Sequence, residues 1–251
     1  MRSVRRALPL GILLLVLAVM WEAGTSFLNI PHYILPKLSD VLYSTWDNRA
    51  VLVKHLGATL GEALLGLAFS VIFGVVAAIG IEASGLAKQT LYPLLIASQS
   101  VPIIALSPIM VMWFGYDIWS KVAVVILFSF FPLAVNTADG FRSADPGIGE
   151  LLRTMGAGKR QLFLKWKLPS ALPGFFTGLK LAATFSIGGA TLGEWLGGET
   201  GLGVYTKRAS NMLRGEAVFS GVLLLSLTGV LMFAAAGLLG RMVLAKRGQQ
   251  R

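Results

Sequence analysis

The segment Glu150–Pro169, ELLRTMGAGKRQLFLKWKLP, separates two strongly apolar blocks and decides how the rest of the chain is interpreted. Asp145 followed by Pro146 is a typical helix start, because an Asp side chain can cap free amides and proline is tolerated at the first helical position. Gly156 favours the left-handed conformation that ends many helices. We therefore expect a first short helix that ends near Gly156.

A second short helix is expected over Lys159–Lys167. Its residues Leu162, Phe163 and Trp166 are spaced to share one face. Pro169 either stops this helix or opens the next one. Two short helices joined by a glycine would form a rigid knob, whereas the alternative is a solvated basic connector that only marks the inner side of a membrane.

The composition indicates a polytopic membrane protein. Of the 251 residues, 55% are hydrophobic and 14% are charged, which is far more apolar than a soluble domain. The formal net charge of +10 could suggest nucleic-acid binding, but the basic residues cluster at the ends of apolar runs and form no stripe with interleaved aromatic side chains. We expect one all-α membrane domain over residues 1–251 that binds no nucleic acid.

Six apolar segments have roughly the 20 residues that a bilayer requires. The predicted spans are Leu8–Leu28, Leu56–Ile81, Leu91–Phe114, Trp119–Ala138, Leu172–Leu196 and Val218–Val243. Pro102 and Pro108 interrupt the third segment, so we expect it to be kinked or locally unwound. Residues 115–118 predict a tight turn, with Trp113 and Trp119 as interfacial anchors.

The distribution of basic residues predicts the orientation. With the N-terminus inside, fourteen Lys and Arg residues fall in inner segments, and seven fall in outer ones, namely Lys37, Arg49, Lys54, Lys121, Lys207, Arg208 and Arg214. This asymmetry favours a cytoplasmic location for both termini and for Glu150–Pro169. The outer connector Asn29–Val53 is expected to contain an amphipathic helix near Leu38–Trp46. Alternatively, the first span is a signal peptide cleaved after Val16-Leu17-Ala18.

Catalytic and nucleotide motifs are missing from the sequence. The run Gly156–Lys159, GAGK, is a partial phosphate-binding loop, but the full pattern needs a glycine where Arg153 stands and a Ser or Thr where Arg160 stands. The chain has no cysteine, and it shows no metal-ligand cluster, nucleophile elbow or zinc-protease motif. We expect no catalytic residue, cofactor or metal site.

The segment Glu150–Pro169 resembles the EAA loop of ABC importer permeases. The positions that keep its spacing are Glu150, Gly156, Trp166, Leu168 and Pro169. The residue types are relaxed, since Leu151 and Leu152 stand at two Ala positions and Trp166 stands at the usual Ile. Two further segments, VPIIALSPIMVMWFGYDIWSKV at Val101–Val122 and ATLGEWLGGETGLGVYTKRAS at Ala190–Ser210, are similar to permeases of the nitrate, sulfonate and taurine group, with relatives that carry thiamine-pyrimidine precursors and riboflavin.

This resemblance implies the type I importer permease architecture, with six transmembrane helices, in a bacterial inner membrane. It implies a homodimer, two cytoplasmic ATP-binding subunits that hydrolyse ATP, and a periplasmic or lipid-anchored substrate-binding protein, with lipid around the spans. A coupling loop at about 140–169 would contact the ATPases. Its expected contact residues are Asp145, Glu150, Leu151, Leu152, Gly156, Lys159, Phe163, Trp166, Leu168 and Pro169.

Charged residues inside predicted spans are further candidates, because each costs about 2.5 to 3.5 kcal/mol near the bilayer centre. Glu62 and Lys180 lie towards span ends, where snorkelling or a structural ion pair is expected. Glu194 lies among glycines with the spacing of close helix contacts. Two interpretations stay open for Gly189, Gly193, Glu194 and Gly197: packing of the fifth span, or a translocation pathway or dimer interface.

The substrate implied by the resemblance is a small organic nutrient or anion, such as a sulfonate, nitrate or a vitamin precursor. The Val101–Val122 segment favours an organic nutrient such as a thiamine pyrimidine. The alternative function is an ion-coupled secondary transporter, which predicts intramembrane carboxylates or broken helices that bind ions, in two related halves. The chain shows few buried charges and no internal repeat, which favours the importer.

Overall fold

The computed structural model describes residues 2–28 and 30–248, and the described residues are predominantly helical. The elements are α1 (Arg2–Phe27), α2 (Leu38–Asp47), α3 (Arg49–Ala83), α4 (Gly85–Ser98), α5 (Ile103–Phe114), α6 (Ile118–Arg142), α7 (Pro146–Thr154), α8 (Lys159–Leu162), a π-helical turn (Phe163–Lys167), α9 (Leu168–Gly197), α10 (Leu202–Asn211) and α11 (Gly215–Gly248). The all-α fold class is confirmed.

The six predicted spans fall mainly on helices of the structure, and the third is interrupted at residues 99–102. Four stretches are long and apolar enough to cross a membrane: Arg49–Ala83, Ile118–Arg142, Lys159–Gly197 and Gly215–Ala245. The pair α4 and α5 qualifies as one further span if its bend is allowed, and Gly11–Phe27 is a shorter apolar helix. The count of six crossings and the cytoplasmic location of both termini stay predictions. Asn29 and residues 249–251, which belong to the predicted outer connector and the predicted inner C-terminus, lie outside the described residues.

The third predicted span is broken, as its prolines predict. Helix α4 ends at Ser98 and α5 begins at Ile103, and the two helices are bent by 94° at the break. Pro102 stands immediately before α5, where its missing N–H removes no helical hydrogen bond. A tight turn then follows, with Gly115 at φ 74° and the side chain of Asp117 accepting a hydrogen bond from the amide of Ile118 at 2.9 Å.

Helices α3, α6 and α9 form the core of the bundle, and small residues let their backbones come close. A Cβ placed on Gly178 of α9 would lie 2.8 Å from the carbonyl oxygen of Pro132 on α6. A Cβ on Gly140 of α6 would lie 2.7 Å from the carbonyl oxygen of Ala171 on α9. In lipid, the hydrophobic effect does not drive helices together. Close van der Waals packing of the backbones at small residues stabilises their contact instead.

The connector after α1 contains the expected amphipathic helix, α2. Three hydrogen bonds tie this connector to α1. The indole N–H of Trp21 donates to the carbonyl of Pro36 at 3.0 Å, and the hydroxyl and the amide of Ser39 donate to the carboxylate of Glu22 at 2.8 Å and 3.1 Å. Ser220 of α11 donates to the carbonyl of Val41 at 3.1 Å. The connector therefore lies across the same end of the bundle as the start of α11.

Candidate functional site: the docking loop and the opposite end of the bundle

The docking loop, residues 145–169, begins with a well-capped helix. The side chain of Asp145 accepts a hydrogen bond from the amide of Gly147 at 2.8 Å, and Pro146 occupies the first helical position of α7. This arrangement satisfies an amide that has no partner within the helix. The predicted helix start is confirmed.

The end of α7 is fixed by Gly156, which has φ 80°. The amide of Gly156 donates to the carbonyl of Arg153, and the amide of Ala157 donates to the carbonyl of Leu152, both at 2.9 Å. These two bonds form the Schellman motif that closes a helix through a left-handed residue. The predicted positive φ at Gly156 is confirmed.

The prediction of a separate short helix over Lys159–Lys167 is wrong. Helix α8 passes through the π-helical turn into α9, so that Lys159–Gly197 is one continuous helical stretch. The amide of Leu168 donates to the carbonyl of Phe163, five residues earlier. The wider turn admits Pro169, which lacks an N–H and would crowd a regular helix. Pro169 therefore lies in the first turn of α9, and the helical stretch continues through it.

Trp166 holds α7 against the start of this long helix. Its indole N–H donates to the carbonyl of Asp145 at 2.9 Å. Its ring lies against Gly149, where a Cβ would collide with it. Phe163, one turn earlier, stacks on Phe141 at the end of α6 with ring centroids 5.8 Å apart. The loop is therefore a rigid projection with its own aromatic anchor.

Glu82, near the end of α3, is a residue that sequence reasoning missed. Its carboxylate lies 2.7 Å from the Nζ of Lys167 and 3.6 Å from the Nζ of Lys88. The ion pair between Glu82 and Lys167 ties the base of the docking loop to α3. No local pattern marks Glu82, because its partner Lys167 is distant in sequence and only the fold brings them together.

The outer face of α7 exposes apolar side chains. Ile148, Leu151 and Met155 follow one another at three- and four-residue intervals, so they share a face, and they are 44%, 60% and 74% exposed. Glu150 is exposed beside them, whereas Leu152 is half-buried. An apolar face on an exposed, rigid projection is typical of a surface that another protein covers.

At the opposite end of the bundle the structure corrects the assignment of Lys121. Charge counting places Lys121 among the cations of an outer connection, but this residue lies in the first turns of α6 and is buried. Its Nζ lies 2.9 Å from Oε1 of Glu62 on α3. The ion pair expected at Glu62 is confirmed. Removal of Lys121 from the outer cations strengthens the charge asymmetry, because seven minus one leaves six against fourteen.

Glu194 is buried near the end of α9, with 1% of its surface exposed. Its carboxylate accepts a hydrogen bond from the amide of Gly203, in the first turn of α10. Gly201, immediately before α10, has φ 129° and packs directly on the same carboxylate. A side chain at Gly201 would collide with Glu194, so this glycine is required by both backbone and space.

Two residues of α3 hold the same turn. Nδ1 of His55 accepts a hydrogen bond from the amide of Gly201 at 2.9 Å. The hydroxyl oxygen of Thr59 accepts one from the amide of Leu202 at 2.8 Å. Together with Glu194, these side chains satisfy amides at the start of α10 that have no partner within that helix. They fasten α10 to α3 and α9.

The glycines singled out in the fifth span contact other helices and a turn of their own chain. A Cβ on Gly189 would lie 2.9 Å from the Cα of Val125, and one on Gly193 would lie 2.9 Å from the Cα of Lys121. Gly197 faces the turn between α5 and α6. The structure thus places these glycines in the contact between α9 and α6. A role in a pathway or a dimer interface stays a prediction.

A bundle of long apolar helices that carries a rigid loop with an exposed apolar face is typical of a membrane permease with a partner protein. Residues 70–244 match the family model described as "Binding-protein-dependent transport system inner membrane component". The chain belongs to this family. It is the permease subunit of an ABC importer for small substrates and a multi-pass protein of the bacterial inner membrane.

Three relatives match most or all of the chain. It is 42% identical to the formylaminopyrimidine transport permease protein ThiX of Halalkalibacterium halodurans, over 100% of both chains. It is 32% identical to the riboflavin transport system permease protein RibX of Chloroflexus aurantiacus, over 96% of this chain and 92% of that protein. It is 29% identical to the taurine transport system permease protein TauC of Escherichia coli, over 90% and 84%. The suspected permease group is confirmed.

Solved structures show the same fold. A chain of the MetNI methionine ABC transporter, described in inward facing conformations, aligns with a TM-score of 0.62 and 20% identity over 79% of this chain and 96% of that chain. A chain of an amino acid ABC transporter aligns with a TM-score of 0.63 and 16% identity over 81% and 97%. These likenesses show the type I permease fold.

Proposed function

We propose that this chain forms the translocation pathway of an ATP-driven importer and receives mechanical work through α7. Residues 1–251 form a single permease domain, and two copies make a homodimer. Each copy presents its docking loop to a cytoplasmic ATP-binding subunit. The apolar face of Ile148, Leu151 and Met155, held rigidly by Trp166, is the observation that supports this proposal.

The chain itself contributes no ATPase site in this proposal. Closure of the two ATP-binding subunits moves the docking loops, and each loop transmits the movement because α8, the π-helical turn and α9 are continuous. The bonds of Glu82 to Lys167 and of Trp166 to Asp145 make the loop move with the bundle. A periplasmic or lipid-anchored binding protein delivers the substrate at the opposite end.

The proposed substrate is an organic nutrient of the pyrimidine vitamin-precursor class. The identity to the formylaminopyrimidine permease supports this choice, because it extends over the full length of both chains and exceeds the identity to the taurine relative. Sulfonate and nitrate transport are the competing assignments within the same family.

Uptake in whole cells tests the proposal. Cells that express the chain with its ATP-binding and binding-protein partners should accumulate labelled formylaminopyrimidine, and a Walker-motif variant of the ATP-binding partner should abolish the accumulation. Taurine at the same concentration should not compete. Uptake that survives loss of ATP hydrolysis and follows an ion gradient would instead support a secondary transporter.

A further inference from the structure

Three ionisable side chains from three helices are buried together at the end of the bundle opposite the docking loop. Glu62 of α3, Lys121 of α6 and Glu194 of α9 are 4%, 7% and 1% exposed. Nζ of Lys121 lies 2.9 Å from Oε1 of Glu62, and the carboxyl groups of Glu62 and Glu194 lie within hydrogen-bonding reach of each other. The cluster therefore holds two carboxyl groups and one ammonium group.

One oxygen of each carboxyl group has a hydrogen-bond partner, and the other has none. Oε1 of Glu62 accepts from Lys121, and Oε2 of Glu194 accepts from the amide of Gly203. Within the described part of the chain, Oε2 of Glu62 and Oε1 of Glu194 are buried without a partner. Because buried polar atoms are nearly always paired, these two oxygens indicate that a donor is missing from the cluster.

The polar side chains of α3 around the pair do not supply that donor. Thr59 lies within reach of Glu194, but its single hydroxyl proton is donated to the carbonyl of His55 at 3.2 Å. Nδ1 of His55 accepts a hydrogen bond from the amide of Gly201, so this nitrogen carries no proton and the ring is uncharged. The neighbouring Lys54 is exposed.

The titratable residues of α10 and of the turn before α6 are also placed otherwise. Lys207 and Arg208 donate to backbone carbonyls at and after the end of α9, and neither forms an ion pair with Glu194. Tyr205 packs against the imidazole ring of α3 with ring centroids 5.7 Å apart. Tyr116 lines a pocket together with Glu194 but donates no hydrogen bond to it.

The charges of the cluster do not balance if both carboxyl groups are ionised. Two carboxylates beside one ammonium group would leave a negative charge buried, and such a group takes up a proton instead. Lys121 stabilises the anion at Glu62, so the proton belongs to Glu194. A hydroxyl at Oε1 of Glu194 that donates to Oε2 of Glu62 gives both unpaired oxygens a partner, while Oε2 of Glu194 remains a carbonyl oxygen that accepts from Gly203.

We infer that Glu194 binds a structural proton, which it shares with Glu62, and that this proton fastens the start of α10 to α9 and α3. When the chain folds, one proton passes from water to Oε1 of Glu194, and no other covalent bond forms or breaks. Without that proton the two carboxylates would repel each other beneath α10. The inference concerns the folded chain alone and does not depend on its substrate or on the ATP-binding partner.

Infrared spectroscopy of the purified full-length chain detects this proton directly. At mildly acidic to neutral pH, the wild type should show the carbonyl stretching band of a buried, protonated carboxyl group, and the band should shift in deuterium oxide. Glu194→Gln should remove the band, because the amide can replace both hydrogen bonds but carries no acid proton. Glu199→Gln is the matched control, since Glu199 is an exposed glutamate nearby, and it should leave the band unchanged.

The same spectra contain the results that would overturn the inference. A wild type without the band, or a band that survives in Glu194→Gln, would show that Glu194 is not protonated. Glu62→Gln should weaken or shift the band, because the hydrogen-bond acceptor changes, and an unaltered band would rule out sharing. Replacement of sodium chloride by choline chloride should change nothing. A band that appears only without sodium would make the cluster a cation site.

The pH dependence of stability provides an independent test. A carboxyl group in water is ionised at neutral pH, so the folded chain binds one more proton at Glu194 than the unfolded chain. Stability should therefore fall as the pH rises, and the unfolding equilibrium constant should increase by about tenfold per pH unit relative to Glu194→Gln. Melting temperatures of the two chains, compared from about pH 5 to about pH 7, measure this difference because their other titratable groups are the same. Parallel melting curves would contradict the bound proton.

Discussion

At the residue scale, stability at the end of the bundle opposite the docking loop depends on buried charges. Lys121 and Glu62 have side chains that are 9% and 5% exposed, and Glu194 is buried beside them. A buried ion pair adds little by itself, but removal of one partner leaves an uncompensated charge. The geometry therefore makes Lys121 more sensitive to replacement than a cation in a loop.

The prediction for this pair is a double-variant comparison. Lys121→Met should destabilise the protein by about 3–5 kcal/mol, because it leaves the Glu62 carboxylate buried and unpaired. Adding Glu62→Gln should recover most of the loss. Apparent melting temperatures of the purified protein in detergent measure both effects. Equal stability of Lys121→Met and the wild type would contradict the prediction, because it would show that no unpaired charge is left buried at Glu62.

Gly156 gives a second prediction at this scale. Its φ of 80° costs an L-residue about 1–2 kcal/mol, so Gly156→Ala should weaken binding of the ATP-binding partner, and the β-branched Gly156→Val should weaken it more. Gly158→Ala is the matched control: Gly158 has φ −71° and also has open space around it. Pull-down of the partner measures the effect, and equal retention by both alanine variants would contradict it.

At the element scale, helix α7 is the proposed coupling element. Its caps at Asp145 and Gly156 could be predicted from sequence, because the groups involved lie within a few residues of one another. The apolar face of Ile148, Leu151 and Met155 became visible only when the structure showed which side of the helix Trp166 covers.

The prediction for α7 concerns that face. Leu151→Asp should reduce association with the ATP-binding partner by about tenfold or more, since it buries a charge in an apolar contact, a change that costs a few kcal/mol. Glu150→Ala should give a milder loss. Arg153→Ala alters an exposed position of the same helix that points away from this face and should bind normally, as titrated by surface plasmon resonance. Normal binding by Leu151→Asp would place the contact elsewhere.

The long helix that follows shows why element boundaries were harder to predict. Pro169 suggested a stop or a new start, but a π-helical turn at Phe163–Lys167 absorbs it and the helix continues to Gly197. Long-range pairs were equally hidden. Glu62 and Lys121 are 59 residues apart, and Lys121 lies so near a span end that charge counting placed it in a loop.

At the scale of the whole molecule, apolar patterning alone located the long helices that can cross a membrane, because long apolar runs leave few alternatives for a chain of this composition. How the helices pack could not be read from that pattern. The contact of α6 with α9 depends on glycines such as Gly140 and Gly178, whose partners are backbone atoms. Orientation rests on the basic residues and stays a prediction.

Cysteine labelling of the cysteine-free chain tests that orientation. An impermeant thiol reagent added to intact cells should leave Arg160→Cys, in the docking loop, unmodified. Lys207→Cys, in α10 at the opposite end of the bundle, should react under the same conditions. Labelling of Arg160→Cys from outside would reverse the topology and remove the docking loop from the ATP-binding subunits.

The central claim is that the docking loop couples ATP hydrolysis in a partner to transport through this chain. The most direct measurement is ATP hydrolysis by the reconstituted complex in lipid vesicles, with and without substrate-loaded binding protein. Wild-type complexes should hydrolyse ATP faster when the loaded binding protein is present. Complexes with Gly156→Val should lose that stimulation, although the variant chain should still insert into the membrane and form its dimer. Full stimulation and normal transport in the Gly156→Val complex would contradict the claim and make the loop a simple connector.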